Sequence, residues 1–262
     1  MRTRLDAELV RRGLARSREH AVDLIESRSI LVRGIPASKP ATQVDAETSI
    51  TLAGARNDYV SRGGHKLAGA LDAFPEIVVE GKVALDAGAS TGGFTDVLLK
   101  RGASKVIAVD VGYGQLAWEL RQDPRVEIHD RTNVRTLSLE FTKDPADIVV
   151  ADLSFISLTL VIPALVAVSK VDTDFLIMVK PQFEVGREKL GAGGVVRDPQ
   201  LRRSAVMEVA TSAQEMGLGT LGVVASPLPG PSGNVEYFLW LRRGDAMIAE
   251  KEIDEAIAKG PQ

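Results

Sequence analysis

Four charged residues stand where the surrounding residue types make a charge expensive. Lys180 closes the apolar run Phe175-Leu-Ile-Met-Val179, and Asp152 closes the run from Asp147 through Val149-Val150-Ala151. Glu236 interrupts the apolar segment from Val235 to Trp240, and Lys66 follows Gly63-Gly64-His65. A buried lysine needs a carboxylate partner, and a buried carboxylate without a cation is costly. Lys180 and Asp152 end neighbouring strand candidates, which puts them in one crevice. Groups of this kind move protons and stabilise charge that develops during a reaction.

A second constellation is the stretch Asp86-Ala-Gly-Ala-Ser-Thr-Gly-Gly-Phe94, which lies between the apolar run Val83–Leu85 and a periodic segment containing Phe94, Val97 and Leu98. That order reads as strand, glycine turn, helix. Gly88, Gly92 and Gly93 carry no Cβ, so a ligand can approach the backbone closely. Dinucleotide sites use G-x-G-x-x-G, whereas Ser90 holds the second glycine position here and the glycines run G-x-x-x-G-G. The spacing is closer to an S-adenosylmethionine (SAM) loop than to an NAD one. A tight turn without a ligand, or another nucleotide, stays open at this point. Asp110 ends the next strand candidate, 22 residues beyond Gly88, where a carboxylate can accept from two ribose hydroxyls. Asp130 and Asn133 follow the third strand and could reach an adenine amino group; the alternative is turn formation and capping. Asp86, Gly88, Ser90, Gly92, Gly93, Phe94, Asp110, Asp130, Asn133 and Asp152 are therefore the candidate cofactor residues.

These residues need a scaffold, and the pattern supplies one. The 262 residues are 45% hydrophobic and 26% charged, as in a soluble protein with a full core. Strand candidates at Val83–Leu85, Lys105–Asp110, Val126–His129, Asp147–Asp152 and Phe175–Val179 alternate with helical segments, which predicts a parallel, doubly wound sheet with ligands at the carboxyl ends of the strands. After a helix near Gln200–Met216, Leu218–Ala225 and Val235–Leu241 read as an antiparallel hairpin at a sheet edge. The last residues carry Ile253 and Ile257 on a possible short helix.

The first sixty residues differ. Leu5, Leu9 and Val10 form a short amphipathic pattern ended by Gly13; Ser17 caps a second helix with Ala21, Leu24 and Ile25 on one face. Strands follow at Ile30–Val32 and Ser49–Leu52, with a turn at Gly34. Residues 1–39 hold nine Lys/Arg against five Asp/Glu, a local +4 in a chain whose formal net charge is −3. A basic segment on an acidic body implies a polyanionic partner or a solvated basic face. The boundary is placed at a short linker, about residues 53–60, dividing 1–58 from 61–262. So short a linker would let recognition by one domain position chemistry in the other.

The words Arg4-Leu5-Asp6, Gly13-Leu14-Ala15, Ser17-Arg18, Leu24-Ile25, Val32 and Lys39-Pro40 make the N-terminal segment resemble the S4 RNA-binding module. It departs from that pattern at Ser27 or Ser29, where glycine is common, and at Arg33, where Asn often precedes Gly34. The body, with its glycine loop and terminal hairpin, resembles class I (Rossmann-like) SAM-dependent methyltransferases. Amino-group methyltransferases usually show Asn- or Asp-Pro-Pro-aromatic at the fourth strand end; Leu153-Ser154 stands there instead. Lys66, Asp152, Lys180 and Glu236 match, in order and fold context, the K-D-K-E tetrad of RNA ribose 2′-O-methyltransferases. With Ser61-Arg-Gly-Gly-His-Lys-Leu67, the whole chain resembles the TlyA family, FtsJ-like enzymes some of whose members are labelled haemolysins.

The resemblance implies an α/β fold, a small S4-like RNA-binding domain followed by a class I methyltransferase domain. It implies SAM as cofactor with no metal, and methylation of cytidine 2′-hydroxyls in small- and large-subunit ribosomal RNA. Lys180 would be the central group, held by Asp152 and Glu236, with Lys66 orienting the ribose. Carboxylates beside a lysine favour its charged form, so Lys180 acts either as a base or as a cation that stabilises the alkoxide. Arg4, Arg11, Arg12, Arg16, Arg18, Arg28, Arg62, Arg187 and Lys189 would meet RNA phosphates, which sets affinity and register more than sequence choice.

Composition narrows the alternatives. Cysteine is absent, which excludes disulfides, thiolate metal sites and the cysteine nucleophile of RNA cytosine-C5 methylation. Arginines at 2, 4, 11 and 12 without an apolar stretch argue against a secretory leader, so a cytoplasmic protein is expected; the sequence leaves the oligomeric state open, with a monomer favoured. The longest uncharged stretch, Leu153–Ser169, is short and polar for a membrane span and reads as a buried helix after a strand. A membrane-active haemolysin and a non-catalytic RNA-binding protein remain the competing functions.

Overall fold

A computed structural model describes residues 3–15, 17–45, 48–52, 59–230 and 232–261. Arg16 and most of the expected linker, residues 53–58, lie outside them. The chain divides into two compact units, Met1–Asp58 and Tyr59–Gln262.

The first unit runs β1 (Thr3–Arg4), α1 (Leu5–Arg11), α2 (Arg18–Glu26), β2 (Ile30–Val32), β3 (Ile35–Pro36), β4 (Gln43–Val44) and β5 (Ile50–Leu52). Leu5, Leu9, Ala21, Ile25, Ile30 and Ile50 form its core. Ser17 caps α2 by accepting from the His20 amide at 3.1 Å. The helix ends in a left-handed residue whose neighbour's amide reaches back, Ser29 N to Leu24 O at 2.9 Å. Glycine usually fills that position, but here Arg28 does, at φ 57°; the strained residue lies between the two serines singled out in the sequence. The hairpin β2–β3 pairs Val32 with Ile35, leaving Arg33 and Gly34 as a two-residue turn. Both are left-handed, φ 52° and 78°, the geometry for which Asn-Gly is preferred. The short pairs β1–β4 and β2–β3 have no signal in the hydrophobic pattern.

The second unit runs α3 (Arg62–Ala73), β6 (Val83–Ala87), α4 (Gly93–Lys100), β7 (Lys105–Val109), α5 (Trp118–Arg121), β8 (Val126–His129), α6 (Leu139–Thr142), β9 (Ala146–Ala151), α7 (Ile162–Ala167), β10 (Ser169–Val179), α8 (Pro181–Glu184), α9 (Pro199–Glu215), β11 (Leu218–Ala225), β12 (Tyr237–Arg243) and α10 (Glu250–Lys259). The seven strands lie in the order β11-β12-β10-β9-β6-β7-β8. β6 to β10 pair in parallel, and β12 enters antiparallel between β10 and β11. Strands buried on both faces read as continuous apolar runs. Val149, Ala151, Phe175, Ile177 and Val179 point to a core shared with α7, α9 and α10. Ile148, Val150, Leu176 and Met178 point to the opposite core with α3 and α4. The uncharged stretch becomes a 3-10 turn at Leu158–Leu160 and then α7, which buries Ile162 and Leu165.

Register fixes where the charges go. The β10–β12 ladder ends at Val179 opposite Tyr237, so Lys180 and Glu236 flank the same end of the sheet. β9 pairs Ala151 with Ile177 and with Ala87 of β6, which brings Asp152 and Gly88 to that end as well.

The turn geometry is testable. Arg33→Asn places a residue that tolerates the left-handed region into the hairpin, and should stabilise the first unit by about 0.5–1 kcal/mol. Amide exchange of residues 30–52 in the full chain should slow accordingly; no change would show that Arg33 bears no strain.

Candidate active site

The four charges form two separate ion pairs. Lys66 Nζ lies 2.5 Å from Glu236 Oε2, and Lys180 Nζ lies 2.6 Å from Asp152 Oδ1. Lys66, Lys180 and Glu236 are buried, while the Asp152 side chain is 23% exposed. The expected arrangement of Lys180 between two carboxylates is thus replaced by one carboxylate per lysine. The chain passes close to Glu236 at Gly230, where an added Cβ would sit 2.6 Å from Oε1. Glu236 instead meets Lys66 from α3. The second bond of Lys180 goes to Ser154 Oγ at 3.0 Å. Ser154, read in the sequence only as a departure from a proline, is thus brought into contact with the Lys180–Asp152 pair.

Three cavities meet at these pairs. One of about 410 Å³ is lined by Gly88, Ser90, Asp110, Val111, Gln115, Asn133, Asp152 and Leu153 among others. One of about 310 Å³ holds Ser61, Arg62, Lys66, Ser90, Gly93, Phe94, Asp152 and Lys180. The third, about 900 Å³, is bounded by Arg135, Phe155, Lys180, Gln182, Phe183, Arg187 and Glu236 among others. Ser154 lines all three.

The glycine loop is shaped for close approach. Gly88 and Gly92 have φ 90° and 94°. A Cβ on Gly88 would stand 2.5 Å from the Asp152 carbonyl oxygen, so the two strand ends pack too closely for any side chain there. Gly93 is needed for another reason: a Cβ there would run into Ser61 and the Gly64 amide at the start of α3. Ser90 takes a left-handed φ of 47° and is held by Asp110 Oδ2, which accepts from its amide at 2.8 Å. Asp110 Oδ1 accepts from the Gly112 amide at 2.6 Å. Asp110 therefore braces two loops and lines the 410 Å³ cavity. Asn133 lines it too, while its Oδ1 accepts from the Arg135 amide at 3.0 Å. Asp130 does not line a described cavity; it pairs with Arg121 and accepts from the Gly114 amide, each at 3.2 Å. Both contacts fall on Oδ2 and are those that the turn-forming alternative expects.

The basic residues divide in the same way. Arg4 and Arg11 are exposed but lie on Asp6 and Glu8, at 2.9 Å and 2.6 Å. Arg18 stands 3.7 Å from Asp6, and Arg28 is exposed at its turn. Arg12 is committed to the unit's interior: it donates to Glu8 Oε1 at 2.7 Å and to the carbonyls of Thr48 and Asp45. These bonds from Arg11 and Arg12 hold the Glu8 carboxyl down at about 2. Arg62 lines the 310 Å³ cavity, Arg187 the 900 Å³ cavity, and Lys189 is exposed beside it. Sequence reasoning missed Phe155, Gln182 and Phe183. Phe155 is 91% exposed, has φ 64° and lies with its ring centroid 5.2 Å from that of Phe183; its place at the end of Asp-Leu-Ser-Phe was the available signal.

The profile of FtsJ-like methyltransferases matches residues 59–243, and that of the S4 domain residues 3–50. The chain is 57% identical over 266 residues to the 16S/23S rRNA (cytidine-2′-O)-methyltransferase TlyA of Mycobacterium tuberculosis, with 99% of each chain covered. It is 37% identical to Hemolysin A of Brachyspira hyodysenteriae, covering 89% of this chain and 97% of that one. A solved structure described as a hemolysin from Streptococcus thermophilus superposes with a TM-score of 0.84 at 37% identity, over 98% of this chain and 95% of that one.

Asp86 gives the unit a pH dependence. It is fully buried; Oδ2 accepts from Thr95 Oγ1 at 2.6 Å, while Oδ1 has no partner. It lines none of these cavities and braces the start of α4. Burial first, and the charges of Asp152 and Asp110 next, push its carboxyl up to about 7. A raised acid stabilises the fold below the unfolded value near 4, and that contribution is lost as pH rises to about 7. Asp86→Asn should flatten the fall in stability between about pH 4 and 7, read by denaturant unfolding; an unchanged slope would show that Asp86 is ionised throughout.

Proposed function

The chain belongs to the TlyA family, FtsJ-like methyltransferases with an N-terminal S4 domain, and on that premise we propose that it transfers a methyl group from SAM to the 2′-hydroxyl of a cytidine in ribosomal RNA. The observation that carries the reading is the pair of buried lysine–carboxylate contacts, set between the glycine-loop cavity and the 900 Å³ cavity. The glycine loop, Asp110 and Asn133 fit the cofactor: the backbone is bare where Gly88 faces the crevice, and a carboxylate lines the same space.

When bound, SAM supplies an electrophilic methyl carbon on its sulfonium. The protein then has to align the ribose oxygen and manage its proton. Alignment alone contributes up to about 7–11 kcal/mol in favourable systems. An ammonium has three donors; Lys180 uses two on Asp152 and Ser154, which leaves the third for the 2′-oxygen. We assign Lys180 as the cation that stabilises the developing alkoxide. Lys66, anchored by Glu236, orients the ribose with its remaining donors. Asp152, the most exposed of the four, is the carboxylate through which the proton leaves to solvent.

Arg4, Arg11, Arg18 and Arg28 would hold RNA phosphates from the S4 unit, with Arg62, Arg187 and Lys189 contributing from the second. All four charged residues of the site come from one chain, so the reading requires no second copy. A protein acting on ribosomal RNA works where ribosomes are, which we take as the cytoplasm. Among the described residues, no helix is long and apolar enough to cross a membrane.

Purified protein with labelled SAM and ribosomal subunits tests the reading. Wild type should label a cytidine ribose; Lys180→Ala should lose about 100- to 1,000-fold in rate while binding SAM normally. Transfer to no ribosomal RNA would refute the reading, and an unimpaired Lys180→Ala would refute the site.

A further inference from the structure

The loop after β9 brings Asp152 and Ser154 to Lys180, and its backbone is strained. Phe155, the next residue, has φ 64° although its side chain is 91% exposed. A bulky residue stays in the left-handed region only where its surroundings enforce it. The β9 ladder ends at Ala151, so a second anchor has to hold the far end of the loop. The chain after β10 supplies contacts in three tiers. Lys180 meets Asp152 at 2.6 Å and Ser154 at 3.0 Å. The Phe183 ring lies 5.2 Å from that of Phe155. Glu184 accepts from Ser157 Oγ at 2.5 Å and from the Leu158 amide at 3.0 Å. Glu184 lines none of the three cavities, so its carboxylate is set apart from cofactor and substrate. Burial pushes that carboxyl up, and only the two hydrogen bonds pull the other way. Such a group is costly.

We infer that Glu184 is a positioning residue for the methyl transfer, an inference resting on the reading above: it anchors the far end of the loop and thereby holds Asp152 and Ser154 against Lys180. A lysine side chain turns about four bonds, so its ammonium is placed by the acceptors that meet it. Those acceptors stand on either side of a backbone turn that is unfavourable by itself. Without Glu184, Phe155 can leave the left-handed region, and Asp152 and Ser154 move with it. The third donor of Lys180 then loses its aim at the 2′-oxygen.

Single-turnover methylation of ribosomal subunits tests this, with rates taken at saturating SAM and per SAM-binding site. Glu184→Leu should lower the rate about 10- to 100-fold. Glu184→Gln still accepts from the Leu158 amide and can donate to Ser157, so it should restore most of the rate. Lys180→Ala removes the group through which Glu184 acts, and adding Glu184→Leu to it should cost little more. Loss of folded protein alone would reduce the number of SAM sites and leave the rate per site unchanged. If Glu184→Leu fails to bind SAM, Ser157→Ala, which removes one of the two bonds, carries the same comparisons with a smaller loss. A wild-type rate per site, losses that multiply with Lys180→Ala, or a Glu184→Gln as slow as Glu184→Leu overturns the role of Glu184. A wild-type enzyme that labels no ribosomal RNA overturns the methyl-transfer reading itself.

Discussion

Charge that leaves water must be compensated, and in this protein that constraint falls on Lys66, Lys180 and Glu236, buried at one end of a parallel sheet. Two carboxylates meet two lysines, pair by pair, at 2.5 Å and 2.6 Å. Removing one member of a buried pair leaves the other uncompensated, which typically costs 3–5 kcal/mol. The fold has to bring four distant chain segments together to avoid that cost. α3 delivers Lys66, the ends of β9 and β10 deliver Asp152 and Lys180, and the residue before β12 delivers Glu236. The antiparallel entry of β12 next to β10 is what makes the last contribution possible.

The same strand ends carry the glycine loop, so cofactor cradle and charge pairs share residues. Gly88 is pressed against the Asp152 carbonyl, and Asp152 borders both the 410 Å³ and the 310 Å³ cavities. A movement of the loop after β9 would shift Asp152, Ser154 and Phe155 together. Glu184, accepting from Ser157 and Leu158, fixes that loop to the chain after β10. Its carboxyl is pushed up by burial, the electrostatic cost of using a half-hidden acid as a clamp. The loop that carries Asp152 and Ser154 is thus held by a carboxylate outside the two lysine pairs.

Much of this is legible in the residues. Apolar runs such as Phe175–Val179 announce strands buried on both faces, glycines 88, 92 and 93 announce the loop, and the four charges stand out because their neighbours are apolar. The partner of each charge does not follow from spacing. Glu236 was expected at Lys180 and instead meets Lys66, because partner choice depends on side-chain directions in the folded chain, which spacing along the sequence does not encode. Asp130 has the right place in the chain for a cofactor contact, but its pairing with Arg121 through Oδ2 does not follow from the sequence. Arg12 looks like its neighbours in the basic segment, but reaches two backbone carbonyls from across the unit. The left-handed residues Arg28, Ser90 and Phe155 carry no compositional mark, since positive φ is usually signalled by glycine or asparagine.

The central claim is that the site consists of two independent pairs rather than one lysine between two acids. Double-mutant cycles on unfolding free energy separate these directly. Coupling within Lys66–Glu236 should exceed about 1 kcal/mol, and coupling between Lys180 and Glu236 should stay within about 0.5 kcal/mol. Stronger coupling of Glu236 to Lys180 than to Lys66 would contradict the account.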